Sequence, residues 1–312
     1  MYGITMKIKN LVYLSLSIIF CVACTTPLNK NIYSKSQNPK NYLLINNIER
    51  TWDINLPINY RDDVNWPLVF EFHGSGSSPT EQAKISGLRA IAEEEGFILV
   101  RPKAAYYRPN SEYVTWNVDL HDSDIDDVLF VQELIKYLSA QYSIDSSRIY
   151  ATGFSGGGRM SSRIACDLSE QIAAIAPVGG IRFPENCAAS RSIPVLTFHG
   201  ILDMVNHYEL QNDSPPYWRM GVEEALSGWI ENNKCNINPI NESVSESTNK
   251  RVYQDCVANS EIHFYLTTDA GHTWPGSNQE EFFTEIGLGK TEKAINASEL
   301  IWEFFSEFNL KK

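Results

Sequence analysis

Short apolar runs alternate with longer segments of helical spacing along most of the chain. Pro67-Leu-Val-Phe-Glu-Phe-His73-Gly74 is an apolar run closed by a turn former, the signature of a buried strand. Ser78-Pro79-Thr80-Glu81 then opens a helix: the serine can cap, proline suits the first helical position, and the glutamate completes a capping box. This helix is expected to run to Glu95 and stop at Gly96, with a strand over Phe97–Val100. Ile125–Tyr142 places Val128, Leu129, Val131, Leu134, Ile135 and Leu138 at helical intervals. Further strands are expected at Arg148–Thr152, Ile172–Val178, Pro194–Phe198 and Glu261–Leu266. Helices are expected after Gly153, over Gly221–Glu231 and over Ala294–Phe308. A weaker pair of stretches, Leu43–Ile45 and Thr51–Leu56, suggests an antiparallel edge hairpin.

Strand–helix alternation implies an α/β protein with a mostly parallel central sheet flanked by helices on both faces. No break in composition divides residues 42–312, which read as one domain. In such sheets, sites form beyond the carboxyl ends of the strands.

The N-terminus reads differently. Lys7 and Lys9 precede an apolar stretch from Leu11 to Ala23, too short to span a bilayer, and Cys24 follows. Residues 1–23 are therefore expected to be a lipoprotein-type signal peptide, with Cys24 as the lipidated residue. Residues 24–41 read as a polar tether. The body is expected to be exported, lipid-anchored or extracellular, touching membrane only through the lipid. Export permits disulfides. Of the possible pairings, the local ones, Cys166–Cys187 and Cys235–Cys256, are favoured, and each loop would contribute roughly 3 kcal/mol. No Cys-x-x-Cys lies outside the signal segment, so neither zinc nor any other metal or cofactor is expected.

The formal net charge of −12 and the lack of a basic face exclude nucleic acid as a partner and weigh mildly against strongly anionic substrates. Asp122, Asp124 and Asp126 partly mimic a calcium loop, but the position that needs glycine holds Asp127. Acids favoured by a helix N-terminus explain the run better.

Candidate chemistry concentrates at Gly153-Phe154-Ser155-Gly156-Gly157. This G-x-S-x-G string lies between an expected strand and an expected helix, the context of the nucleophile elbow in the α/β-hydrolase fold. Ser155 needs a base to take its proton. Chain order places the base last, and His272 follows the last strand on a loop rich in turn formers. The orienting acid should follow a strand between them, which Asp203 does; Asp213 is a rival farther from any strand end. His263 reads as a strand residue, and His73 as one that orders its loop. Two backbone amides should hold a developing oxyanion: Gly156, after the nucleophile, and Ser75, in the His73-Gly-Ser-Gly76 turn.

These strings together resemble the polyhydroxybutyrate depolymerase and feruloyl esterase family of secreted esterases. The resemblance runs from about Trp66 to Phe308. It is carried by Phe72-His-Gly-Ser-Gly76, Thr115-Trp-Asn117, Asp124-Ile-Asp-Asp-Val128, Tyr150-Ala-Thr-Gly-Phe-Ser-Gly-Gly157, Phe198-His-Gly-x-x-Asp203, Gly271-His-Thr-Trp-Pro-Gly276 and Leu300-Ile-Trp-Glu-Phe-Phe305. It implies the same triad, disulfides like those above, and aromatic groove residues at Trp116 and Trp274. The expected activity is hydrolysis of a carboxylic ester, polymer-linked, with no cofactor. Feruloyl or acetyl groups on plant polysaccharides come first and poly(3-hydroxybutyrate) second. A serine peptidase and a non-catalytic glycan-binding lipoprotein are the remaining readings.

Overall fold

The computed structural model describes residue 33, residues 35–37 and residues 39–310. The expected signal peptide, the lipidation site Cys24 and most of the tether lie outside the described residues. Part of the expected tether is not free chain. Tyr33 packs edge-on against Tyr137 at 5.3 Å, and the Lys40 amide donates to the Tyr137 hydroxyl at 2.7 Å. An aromatic ring within a polar stretch supplies the anchor.

The strands in chain order are β1 (Tyr42–Ile45), β2 (Ile48–Asn55), β3 (Trp66–Phe72), β4 (Ile98–Pro102), β5 (Tyr106–Tyr107), β6 (Val114–Thr115), β7 (Ile144–Phe154), β8 (Ala174–Val178), β9 (Val195–Gly200), β10 (Ile240–Ser243), β11 (Thr248–Tyr253) and β12 (Ile262–Thr267). The helices are α1 (Pro79–Ser86), α2 (Leu88–Glu95), α3 (Asp127–Gln141), α4 (Gly156–Asp167), α5 (Val222–Asn233), α6 (Glu280–Glu285) and α7 (Ala297–Glu307). Among the described residues, a ten-stranded sheet runs β1-β2-β4-β3-β7-β8-β9-β12-β11-β10. Its centre, β4 to β12, is parallel, and the outer strands on both sides are antiparallel. This is the α/β-hydrolase architecture expected from the alternation.

Period two in β3 shows why its apolar residues are not confined to alternate positions. Leu68, Phe70 and Phe72 enter one buried cluster with α3, α4 and α5, while Val69 enters another with α1, α2 and α7. Both faces are covered, so apolar residues fall on both; the exception, Glu71, is buried and held by Gln82 and Arg101.

Several elements depart from expectation. The helix expected over residues 78–95 breaks at Gly87, whose φ of 64° caps α1 and starts α2. A left-handed residue cannot continue a helix, and glycine adopts it without cost from a Cβ. The β10–β11 hairpin was hidden because β10, Ile-Asn-Glu-Ser, is exposed throughout and has no apolar face to read. Both disulfides, Cys166–Cys187 and Cys235–Cys256, are formed.

Candidate active site

Ser155 stands between β7 and α4 with φ 55° and ψ −113°, a conformation that costs a non-glycine residue about 1–3 kcal/mol. Tight packing enforces the turn. A Cβ on Gly157 would lie 2.0 Å from the Phe72 carbonyl oxygen, so only glycine lets α4 approach β3 this closely. The Ser155 amide donates to Val178 O at 2.9 Å, tying the elbow to β8.

Asp203 follows the turn after β9, and its amide donates to Gly200 O at 3.2 Å. Its Oδ1 accepts from the amides of Val205 and Asn206 at 2.8 and 2.7 Å. Its Oδ2 lies 2.6 Å from Nδ1 of His272. That nitrogen therefore carries the proton, and Nε2 presents a lone pair. Burial alone would raise the Asp203 carboxyl, but its electrostatic attraction and hydrogen bond to His272, together with His199 and the Asn206 amide, outweigh burial and hold it below the usual carboxylate range. The His272 loop is pinned by the amides of Gly271 and His272, which donate to Lys290 O and Leu288 O at 3.0 and 2.7 Å.

Nε2 of His272 is buried and has no hydrogen-bond partner among the described residues. The imidazole lies 4.8 Å from the Phe154 ring, beside the elbow, and His272 and Ser155 line the same cavity. The structure thus brings all three expected triad residues to one end of the sheet.

The two expected oxyanion donors also meet. A Cβ on Gly156 would stand 3.1 Å from the Ser75 nitrogen. The Ser75 hydroxyl pairs with Thr115 Oγ1 at 2.7 Å, and the Gly76 amide donates to Val114 O at 2.8 Å, so the β6 strand holds this turn. His73 orders the same loop: its Nε2 accepts from the Ala104 amide at 3.1 Å. Burial lowers its pKa to about 4.

The aromatic groove is a correction. Trp116 and Trp274 are 1% and 0% exposed. Neither lines the cavity. Each indole N–H is used inside the protein, Trp116 to His73 O at 2.8 Å and Trp274 to Ser298 Oγ at 3.0 Å. Trp116 thus braces the backbone of the His73 turn, and Trp274 ties its loop to α7. The rival acid Asp213 is exposed. The acidic run resolves into a helix start, with Asp126 capping α3 through the Leu129 amide at 2.8 Å. Among the described residues no group of three or more His, Cys, Asp or Glu side chains is placed to hold a metal.

The cavity holds about 740 Å³. Phe154, Phe282, Phe283, Ile286 and Leu288 give it an apolar wall. Arg108, Arg159 and Tyr217 also line it, and none of these was anticipated. One signal was available: Arg159 lies four residues after Ser155, on the same face of α4.

Residues 58–222, more than half of the chain, match the family described as esterase PHB depolymerase. The chain belongs to this family. Relatives of the chain include feruloyl esterase B of Piromyces equi, 28% identical over 70% of this chain and 42% of its own length. The bifunctional acetylxylan esterase/xylanase XynS20E of Neocallimastix patriciarum is 30% identical over 46% of this chain and 20% of its own. The chain thus spans less than half the length of these two relatives. An acetyl xylan esterase structure from Aspergillus awamori shares the fold, with a TM-score of 0.58 and 17% identity over 77% of this chain and 94% of that one. Among the described residues, no helix is long and apolar enough to cross a membrane.

Proposed function

We propose that this chain is a serine carboxylic-ester hydrolase working through an acyl-enzyme on Ser155. The observation that carries this reading is His272, bound through Nδ1 to buried Asp203 and left with an unpartnered Nε2 beside the strained Ser155 elbow. Nε2 takes the Ser155 proton as Oγ attacks the ester carbonyl. The Ser75 and Gly156 amides receive the oxyanion. The imidazolium, stabilised by Asp203, then protonates the departing alcohol, and water repeats the sequence to release the acid.

The substrates are polymer-linked esters, with feruloyl or acetyl groups on plant polysaccharides placed first. Relatives named for feruloyl and acetylxylan esters support this choice. The family description favours poly(3-hydroxybutyrate) as the second reading. Release of ferulate or acetate from arabinoxylan, set against clearing of a polyhydroxybutyrate suspension, separates the two. Ferulate or acetate without clearing supports the first reading, and clearing alone replaces it. We place the protein outside the cytoplasm, lipid-anchored through Cys24, a reading supported by the two disulfides. An intact mass lacking a lipid adduct on the mature chain refutes the anchor.

A further inference from the structure

The buried arginines of this protein divide into two kinds. Arg50 meets Asp127 at 2.5 Å, Arg101 meets Glu71 at 3.4 Å, Arg163 meets Asp167 at 3.4 Å, and Arg182 meets Asp119 at 2.9 Å. Arg159 is as buried as any of them, at 1% exposure, yet no carboxylate lies within ion-pair distance of it among the described residues. Its contacts are the neutral Asn206 Oδ1 at 3.2 Å and Ser75 Oγ at 3.5 Å, and its Nε has no partner among the described residues. A buried charge in that condition is costly unless something else compensates it.

A second cation makes the imbalance worse. Among the described residues, half-buried Arg108 has one hydrogen-bond partner, Thr115 Oγ1 at 3.5 Å. Both guanidiniums lie on the Tyr217 ring, at 4.3 Å for Arg108 and 4.7 Å for Arg159. Burial, and then the charge of Arg108, push the Arg159 guanidinium down to about 9. Asp119, the carboxylate acting on both, is already held by Arg182 at 2.9 Å and Arg219 at 3.7 Å. Arg108, Arg159 and Tyr217 line the cavity that holds Ser155 and His272. Glu81 is the carboxylate among the lining residues, and it is exposed.

We propose that the missing counter-ion is part of the substrate: the cavity selects esters that carry a carboxylate near the scissile bond, held by Arg108 and Arg159. This rests on the ester-hydrolase reading and narrows its substrate class. A guanidinium offers paired donors that match a carboxylate edge. The overall negative charge of the chain does not oppose this, because a local pair of cations at low dielectric outweighs distant, screened surface charge.

The carboxylate can sit on the acyl or the alcohol side, and two matched pairs of esters distinguish them. Mono-4-nitrophenyl adipate against methyl 4-nitrophenyl adipate probes the acyl side through 4-nitrophenolate release. 4-Acetoxybenzoate against its methyl ester probes the alcohol side through acetate release. For each pair, kcat/KM is divided by the uncatalysed hydroxide rate. The charged member should be preferred about tenfold to a hundredfold in at least one pair, as expected of hydrogen bonds to a charged group. Arg108→Gln should cut that preference about tenfold, and Arg108→Lys should restore part of it. Because Arg108 is half-buried, its replacement keeps the test clear of core damage. Turnover with no preference in either pair, or a preference that Arg108→Gln leaves intact, overturns the charge selection while leaving the esterase reading in place. Absence of turnover for all four esters overturns both.

Discussion

Asp127 and Asp203 are both buried carboxylates set against a basic side chain, and they differ in what lies beyond that base. Asp127 binds Arg50 at 2.5 Å and the Asn117 amide at 2.6 Å, while the guanidinium lies over the Phe130 ring at 4.2 Å. The pair ties β2 to the start of α3 and borders no substrate cavity. Asp203 is equally enclosed, but its partner His272 lines the cavity and keeps one buried nitrogen without a partner among the described residues. Arg50 also keeps Nε and Nη1 without hydrogen-bond partners among the described residues, but its guanidinium is stacked on Phe130 and lines no part of the Ser155 cavity, so that pair is a fastener. A buried acid–base pair becomes chemical machinery when the base has one face left for a reactant.

Breaking the open side should have the largest effect. Ser155→Ala should lower kcat for 4-nitrophenyl acetate on the order of a millionfold, with an unchanged thermal midpoint. Asp203→Asn should lower kcat by about ten-thousandfold, because an amide can stabilise the wrong His272 tautomer. On the closed side the readout changes. Asp127→Asn strands the Arg50 charge and should cost about 3–5 kcal/mol in urea unfolding. At a temperature where the variant is folded, its kcat should stay within about threefold of the parent.

Acid should probe the active-site end. Buried His73 titrates near 4 in the folded chain against 6.5 unfolded, so the unfolded state binds more protons between those values. The stability this supplies is complete above the unfolded pKa and falls as pH drops toward 4, by about 3 kcal/mol. The lowered Asp203 carboxyl acts in the same sense but only below its unfolded value of 3.8, so it does not enter the slope between pH 7 and pH 4.5. Urea midpoints at pH 7 and pH 4.5 measure the slope, and His73→Gln should flatten it. The smallest effect belongs to Trp274→Phe. Losing the hydrogen bond to Ser298 and some packing should cost about 1–2 kcal/mol. KM for a feruloyl ester should shift less than twofold, whereas a groove residue would move it strongly.

The three residues of the proposed triad are legible because each lies within five positions of the end of a strand whose burial shows as an apolar run, and chain order then leaves few candidates. What sequence could not show was side-chain direction. Trp116 and Trp274 sit inside motif strings, yet both rings turn into the core, a fact fixed by packing partners such as Ser298 that are remote in sequence. Asp127 read as one more acid at a helix start, since its partner Arg50 lies 77 positions away. Arg108, Arg159 and Tyr217 come from three separate segments and meet only in the fold. Helix α6, which brings Phe282 and Phe283 to the cavity, is six residues long and too short for periodicity to reveal.

Covalent trapping tests the account at its centre. The protein is incubated with diethyl 4-nitrophenyl phosphate, and residual activity is followed alongside peptide mass mapping. Activity should fall in step with one diethylphosphoryl group per chain, carried by Ser155 and accompanied by one equivalent of 4-nitrophenolate. Complete inactivation with the adduct on any other residue would contradict the account.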